Sequence, residues 1–373
     1  MLALAKTTHS ARRPAWAPRP RPDDEPTATT LGFGDPDDVA STEMGDDDEV
    51  AADDSHPSWP KGRRTPVSLP IEVDGRFLAT RELGRGGMGA VFLAFDRELQ
   101  REVALKVVTR TTPTGLERFR REALIARGLS HPNLVGVLAT GTDRGRPYIA
   151  YELVPGAHTL AQVFPHADLR RRIELLRDAA LALGHAHGQG VVHRDVKAEN
   201  VLVDIAGAVR VTDFGLASAR GLTRITREGK VLGTPVAMAP EQVRGETTSP
   251  ATDVWALGVL LYQALTGYAP FQADSIADLA HQIVHQRPEP PRSLDPFVPP
   301  GLEAVCLRAL ASSPAARYAD AGELGRDLDR ALAGDLGTVR RAYLRARACP
   351  DWIPWVSFAA AAGFLAGLAA TAL

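Results

Sequence analysis

Residues 193–200 read His-Arg-Asp-Val-Lys-Ala-Glu-Asn, which places Asp195, Lys197 and Asn200 on one short segment. A carboxylate that can accept a hydroxyl proton, a cation and an oxygen donor for magnesium are the groups that phosphoryl transfer needs close together. Thirteen residues after Asn200 comes Asp213-Phe214-Gly215, whose carboxylate is a second candidate magnesium ligand. The two strings, in this order and at this spacing, are a far stronger signal than either alone.

A third string, Gly84-Arg85-Gly86-Gly87-Met88-Gly89-Ala90-Val91, is glycine-rich. Alone it is ambiguous, because the same spacing marks dinucleotide sites and plain hairpin turns. A dinucleotide site needs a helix directly after the glycines, to aim its positive end at the pyrophosphate. Here Val91-Phe92-Leu93-Ala94-Phe95 follows and reads as a strand. A glycine hairpin between two strands is instead a flexible backbone that can lie over nucleotide phosphates. Lys106 ends the apolar run Val103-Ala104-Leu105-Lys106, 17 residues after Gly89. A lysine that ends an apolar strand is usually a solvated terminus, and a role in holding phosphate would need a carboxylate to orient it. Glu122, within a helical stretch at 115–128, is the favoured partner; Glu117 is the only other acid in that stretch, and spacing alone does not exclude it.

These residues need elements to hold them. Strand-like runs occupy 77–83, 89–95 and 102–108, a helical pattern 115–128, and further strand-like runs 134–139 and 147–153. Beyond residue 168 the pattern is mostly helical, at 169–187, 252–266, 275–286, 301–311 and 320–333. A small β-rich part followed by a larger helical part is a two-lobed α+β layout. The chain has 373 residues and a net charge of −2, which argues against a general nucleic-acid binder. Its two cysteines, Cys306 and Cys349, form neither a disulfide framework nor a metal cluster, so a reducing compartment is the simplest reading. The first residues hold only a short apolar run before Lys6, too brief for a secretory signal.

With these motifs in order, residues 75 to 335 resemble a eukaryotic-like serine/threonine protein kinase, and most resemble the bacterial membrane-anchored (Hanks-type) branch. The resemblance implies a two-lobed fold, with an N-lobe over 71–154 and a C-lobe over 155–335. It implies ATP as phosphate donor, magnesium (or manganese) as cofactor, and Ser/Thr of proteins as acceptor. Asp195 would orient the acceptor hydroxyl and take its proton, while Lys197 would neutralise the γ-phosphate. Lys106 and Glu122 would form the phosphate clamp. Asn200 and Asp213 would hold the metal. Leu83, Gly84, Gly86, Gly89, Val91, Ala104, Lys106, Glu152 and Val154 would contact the nucleotide, with residues 152–154 as the hinge and Tyr151 as gatekeeper. His193 would pack near Asp213-Phe214-Gly215, Glu241 would pair with Arg317, and Asp253 would cap the catalytic-loop backbone.

The implied activation segment, 213–241, carries Thr223, Thr226 and Thr234. Thr234 fits a structural place beside Asp195 and Lys197, and Thr223 and Thr226 are the better autophosphorylation candidates, with Arg194 as the cation that would meet a phosphate. Ala237 stands where the family often has Tyr, which bears on peptide preference. Glu228 stands where related kinases often have a second Thr, and its charge would partly replace a phosphate's.

Residues 1–70 are rich in Pro, Asp, Ala and Thr and poor in large apolar residues, so the expectation is a disordered tail. Its charge is segregated: residues 1–22 are basic and 23–54 acidic, which fits either a solvated tail or one that folds back on a basic surface. At the other end, 336–352 is a basic juxtamembrane segment with Arg340, Arg341, Arg345 and Arg347, and 353–373 has no charged residue. Twenty-one helical residues span about 31 Å, enough for a bilayer core. The expectation is a C-terminal transmembrane helix with the kinase domain on the cytoplasmic side. Gly363 and Gly367 in that segment give a spacing that could support a homodimer, formed through this helix or through the kinase domain. The alternative to an active kinase is a catalytically weak kinase-like scaffold, disfavoured because Lys106, Glu122, Asp195, Asn200 and Asp213 are all present.

Overall fold

The computed structural model describes residues 69–86, 89–108, 127–214 and 235–334. The N-terminal part is a six-stranded sheet in the order β1-β2-β3-β4-β6-β5, with every neighbouring pair antiparallel. Its strands are β1 Ile71–Val73, β2 Phe77–Gly86, β3 Gly89–Asp96, β4 Arg101–Val108, β5 Val137–Asp143 and β6 Arg146–Glu152. Alternation sorts the two faces. Ala90, Phe92 and Ala94 of β3 and Val103, Leu105 and Val107 of β4 are buried on one side. The opposite face is set by the register: Gly84 pairs with Val91, Val91 with Lys106 and Lys106 with Ile149, while Leu93 pairs with Ala104 and Ala104 with Tyr151. One sheet face therefore carries the glycine backbone, Val91, Ala104, Lys106 and Tyr151 together.

The turns follow from residue type. Arg144 and Gly145 join β5 to β6 in a two-residue hairpin, both at positive φ (46° and 74°), the backbone twist that such a turn requires. Asp96, fully buried at the end of β3, accepts the backbone N–H groups of Glu98 and Leu99 and a two-pronged contact from Arg76 at 2.9 and 2.7 Å.

In the larger part the helices are α1 Leu160–Val163, α2 Leu169–Gly188, α3 Pro240–Arg244, α4 Pro250–Thr266, α5 Ile276–His285, α6 Pro291–Leu294, α7 Pro300–Ala309 and α8 Ala321–Leu332. A small antiparallel sheet, β7 His158–Thr159, β8 Val201–Val203 and β9 Val209–Val211, completes it. Helix α4 is buried nearly all round, because its sequence is apolar on every face and it forms the centre of this lobe. Pro250 starts it and Gly267, at φ +77°, stops it. Helices α2 and α8 pack closely at Gly184 and Gly322, where a Cβ on Gly184 would come within 2.6 Å of the Gly322 Cα.

The expected two-lobed α+β fold is the fold observed. The run 134–139 differs from expectation, being strand only from Val137. Leu134 instead bridges in parallel to Val211, and Asn133 donates its side-chain amide to the Val209 carbonyl at 2.9 Å. This stretch is docked on the small sheet of the other lobe, which its apolar composition alone does not reveal. Further elements went unread: β1, the β7-β8-β9 sheet and the short helices α1, α3 and α6, all too short to carry a period. Among the described residues no helix is long and apolar enough to cross a membrane. The expected disordered tail 1–70, the helix at 115–128, the basic segment 336–352 and the transmembrane segment 353–373 lie outside the described residues, apart from the last two positions of the tail and of the 115–128 stretch.

Candidate active site

The catalytic segment runs from the end of α2 to β8, and its backbone conformation is unusual. Arg194 sits at φ +66° and Asp213 at φ +62°, a region that non-glycine residues rarely occupy. Asp253, buried in α4, holds the first of these. Its Oδ2 accepts the His193 N–H at 2.7 Å and its Oδ1 accepts the Arg194 N–H at 2.7 Å. Asp253 Oδ2 also meets His187 Nε2 at 2.9 Å, and His187 Nδ1 accepts the Ala321 N–H at 3.2 Å. Because Nδ1 accepts, Nε2 carries the proton and donates to Asp253. Thus α2, α4 and the start of α8 converge on the loop through one carboxylate. Gln242 of α3 adds a fourth support, donating to the Arg194 carbonyl at 2.9 Å.

Within the loop, Lys197 Nζ lies 2.9 Å from Asp195 Oδ2. Asn200 Nδ2 donates to the Asp195 carbonyl at 2.8 Å and to Asp195 Oδ2 at 3.1 Å. The amide nitrogen of Asn200 is committed to Asp195, so its Oδ1 is the donor oxygen left for a cation. The β8–β9 ladder continues one step beyond its strands: Thr212 N–H donates to the Asn200 carbonyl at 2.9 Å. That ladder brings Asn200 beside the residue preceding Asp213. His193 fastens the same junction. Its Nδ1 accepts the Asp195 N–H at 3.3 Å, so its Nε2 donates to the Thr212 carbonyl at 2.9 Å. Its ring packs on Phe214, with centroids 4.8 Å apart.

Lys106 Nζ reaches from the sheet to Asp213 Oδ2 at 2.7 Å, joining the two lobes across the cleft. Burial alone would raise the Asp213 carboxyl, but the Lys106 ammonium outweighs it and holds the group below the usual carboxylate range. The favoured partner Glu122 lies outside the described residues, as do Thr223, Thr226, Thr234 and Gly215. Above the cleft, Gly86 pairs with Gly89 at the hairpin tip. A Cβ on Gly89 would meet the Val107 carbonyl oxygen at 2.1 Å, so packing admits only glycine there, whereas a Cβ on Gly84 would meet nothing within 4 Å. Leu83 beside it is 41% exposed. At the hinge, Glu152 N–H donates to the Gly136 carbonyl at 2.8 Å, and Val154 packs against the apolar cluster of Val135, Ile149 and Tyr151.

Behind the site Glu241 and Arg317 form a buried two-pronged pair, both contacts 2.8 Å. Arg317 also donates to the carbonyls of Ala251, Ala311 and Ser312, and Thr252 Oγ1 donates to Glu241 Oε1. Burial works to raise the Glu241 carboxyl, but Arg317 holds it below the ordinary range.

The protein kinase domain family matches residues 77–315. This chain belongs to the protein kinase family. The kinase domain is 41% identical over 283 residues to the serine/threonine-protein kinase PknB of Mycolicibacterium smegmatis, covering 72% of this chain and 45% of that protein. It is 36% identical over 270 residues to the serine/threonine-protein kinase PrkC of Bacillus subtilis, covering 70% of this chain and 41% of that protein. The chain thus spans less than half the length of these curated relatives. Among solved structures, the PknI kinase domain of Mycobacterium tuberculosis matches with a TM-score of 0.58 at 24% identity, covering 71% of this chain and 99% of that one. That likeness speaks to the kinase fold.

Asp195, Lys197, Asn200, Lys106 and Asp213 are thus brought together, as are the supporting residues His193, Asp253, Glu241 and Arg317. Sequence reasoning missed His187, Gln242, Thr252 and Asn133. Of these, Asn133 carried a signal, since His131-Pro132-Asn133 is a turn string just before a strand. Gln242 carried a weaker one, three residues into a helix opened by Pro240.

Proposed function

We propose that this chain is an ATP-dependent serine/threonine protein kinase. The observation that carries the reading is the convergence of Lys106 on Asp213 across the cleft, beside a loop in which Asp195 is held by Lys197 and Asn200. Asp195 keeps a carboxylate facing the cleft, where it orients an acceptor hydroxyl and takes its proton. Lys197, already within contact of Asp195, offers positive charge to the transferred phosphate. Lys106 leaves Asp213 to hold the α- and β-phosphates, with Glu122 orienting it. Gly84 and Gly86 let backbone approach the phosphates, while Leu83, Val91, Ala104, Glu152 and Val154 hold the base.

The Asn200 amide oxygen and the ionised Asp213 carboxylate are hard oxygen donors held side by side, a set that fits magnesium, or manganese in its place. When bound, the ion supplies charge neutralisation at the phosphates. Lys197, two residues after Asp195, favours Ser/Thr as acceptor, and Thr223 and Thr226 are proposed as autophosphorylation sites, with Thr234 structural. The apolar segment 353–373, preceded by four arginines, is proposed to anchor the domain at the cytoplasmic face of a membrane and to support self-association. Incubation with radiolabelled ATP and cell lysate tests the kinase reading. Asp195→Asn is expected to lower labelling by at least about 10³-fold; equal labelling by both proteins would overturn the role of Asp195.

A further inference from the structure

We propose that the Tyr151 hydroxyl is a positioning group for Asp213, the donor that receives this carboxylate when Lys106 turns to nucleotide phosphate. The inference rests on the kinase reading and adds to it a residue that acts through the metal ligand. Tyr151 is 5% exposed, and its Oη is buried without a hydrogen-bond partner among the described residues. Burial and then the nearby Asp213 carboxylate push the hydroxyl's pKa up, which sets the two groups close together, yet no hydrogen bond of full geometry joins them in this arrangement, where Lys106 occupies Asp213 Oδ2 at 2.7 Å.

A buried hydroxyl with no partner is costly, and native structures keep few of them without a reason. Packing gives none here. The ring sits in an apolar cluster with Val135 and Ile149, flanked by Ala104, Val137 and Val154, and a phenylalanine would fill that space as well. The register explains the aim of the oxygen. Tyr151 pairs with Ala104, two residues from Lys106 on the same strand face, so hydroxyl and ammonium approach Asp213 from one sheet. The two donors differ in stiffness. Lys106 has a flexible four-carbon stem and can leave; Tyr151 is fixed by its packed ring and can only stay. When Lys106 engages phosphate, Asp213 loses its charge-assisted contact but must keep one orientation to serve a metal. A fixed O–H in the wall does this, as groups behind a metal ligand commonly do.

The test measures Mn²⁺ affinity by electron paramagnetic resonance in the full chain, with a non-hydrolysable ATP analogue present, for wild type, Tyr151→Phe and Asp213→Asn. Tyr151→Phe is expected to weaken Mn²⁺ binding about tenfold, the usual size of such an effect, and to raise the half-saturating Mg²⁺ concentration in turnover by a similar factor. Its metal-free nucleotide affinity and thermal midpoint are expected to stay at wild-type values or, for the midpoint, to rise. Unchanged Mn²⁺ affinity in Tyr151→Phe would overturn the proposal. So would an equal loss of metal-free nucleotide affinity, which would mark a packing role. A wild-type chain that binds no Mn²⁺ with the analogue would overturn the kinase reading and this proposal together, so the two failures are distinct.

Discussion

The guanidinium of Arg317 and the carboxylate of Glu241 are both removed from water and meet through two 2.8 Å contacts. Such a pair need not stabilise the fold relative to an apolar one, but breaking it leaves a buried charge alone. Arg317→Met should therefore cost about 3–5 kcal/mol at neutral pH, measured by urea denaturation. The pH dependence has a defined sign. The folded Glu241 pKa is depressed, so its contribution is present above the unfolded carboxylate value and is lost as pH falls through the lower, folded one. In Arg317→Met the depression is gone and burial raises the carboxyl instead, so acidification through the carboxylate range should recover part of the lost stability. A variant as unstable at pH 5 as at pH 8 would contradict this account. Asp253 is a comparable case, since its two oxygens hold two consecutive backbone N–H groups of the catalytic loop.

At the scale of elements, close approach decides more than propensity. Helices α2 and α8 touch backbone to backbone at Gly184 and Gly322, and α8 contributes the Ala321 N–H that fixes the His187 tautomer. Gly184→Val would push α8 outward, with an expected cost of about 1–3 kcal/mol and a fall in activity beyond that in stability, because His187 supports Asp253. Thermal unfolding and turnover on the same preparation check this; full activity at a lowered melting temperature would confine the contact to stability. In the sheet, Gly89→Ala should disrupt the hairpin tip, because the added carbon meets the Val107 carbonyl oxygen at 2.1 Å. Its expected signature is a rise in KM for ATP of about tenfold, equivalent to about 1.4 kcal/mol, whereas Gly84→Ala, with open space around it, should alter KM only through phosphate contact.

For the whole molecule, one prediction concerns the proposed anchor. A chain ending at Gly334 should remain soluble on fractionation and keep its phosphotransfer activity, while the full chain should sediment with membranes and resist extraction by high salt. Full-length protein that partitions with the soluble fraction would sink the anchor. The same scale separates what was legible from what was not. The two-lobed layout, the main helices and the candidate site residues Lys106, Asp195, Lys197, Asn200 and Asp213 were legible, the last because each motif is a contiguous string marked by its local spacing. β8–β9, at three residues each, was too short to show a period, yet it is the ladder that sets Asn200 beside Asp213.

By itself the sequence determined which groups are available: a loop carboxylate with a cation two residues on, two oxygen donors thirteen residues apart, a glycine hairpin and a strand lysine. Local order in the chain suffices for these, since neighbouring residues cannot be far apart in space. Only the tertiary structure decided that Lys106 meets Asp213, that Asp253 reaches back 60 residues to the His193 N–H, that His187 stands behind Asp253, and that the Tyr151 hydroxyl is buried without a hydrogen-bond partner among the described residues. Those contacts join segments that share no sequence period. Their partners are fixed by sheet register and helix packing, which are properties of the assembled core rather than of any one segment.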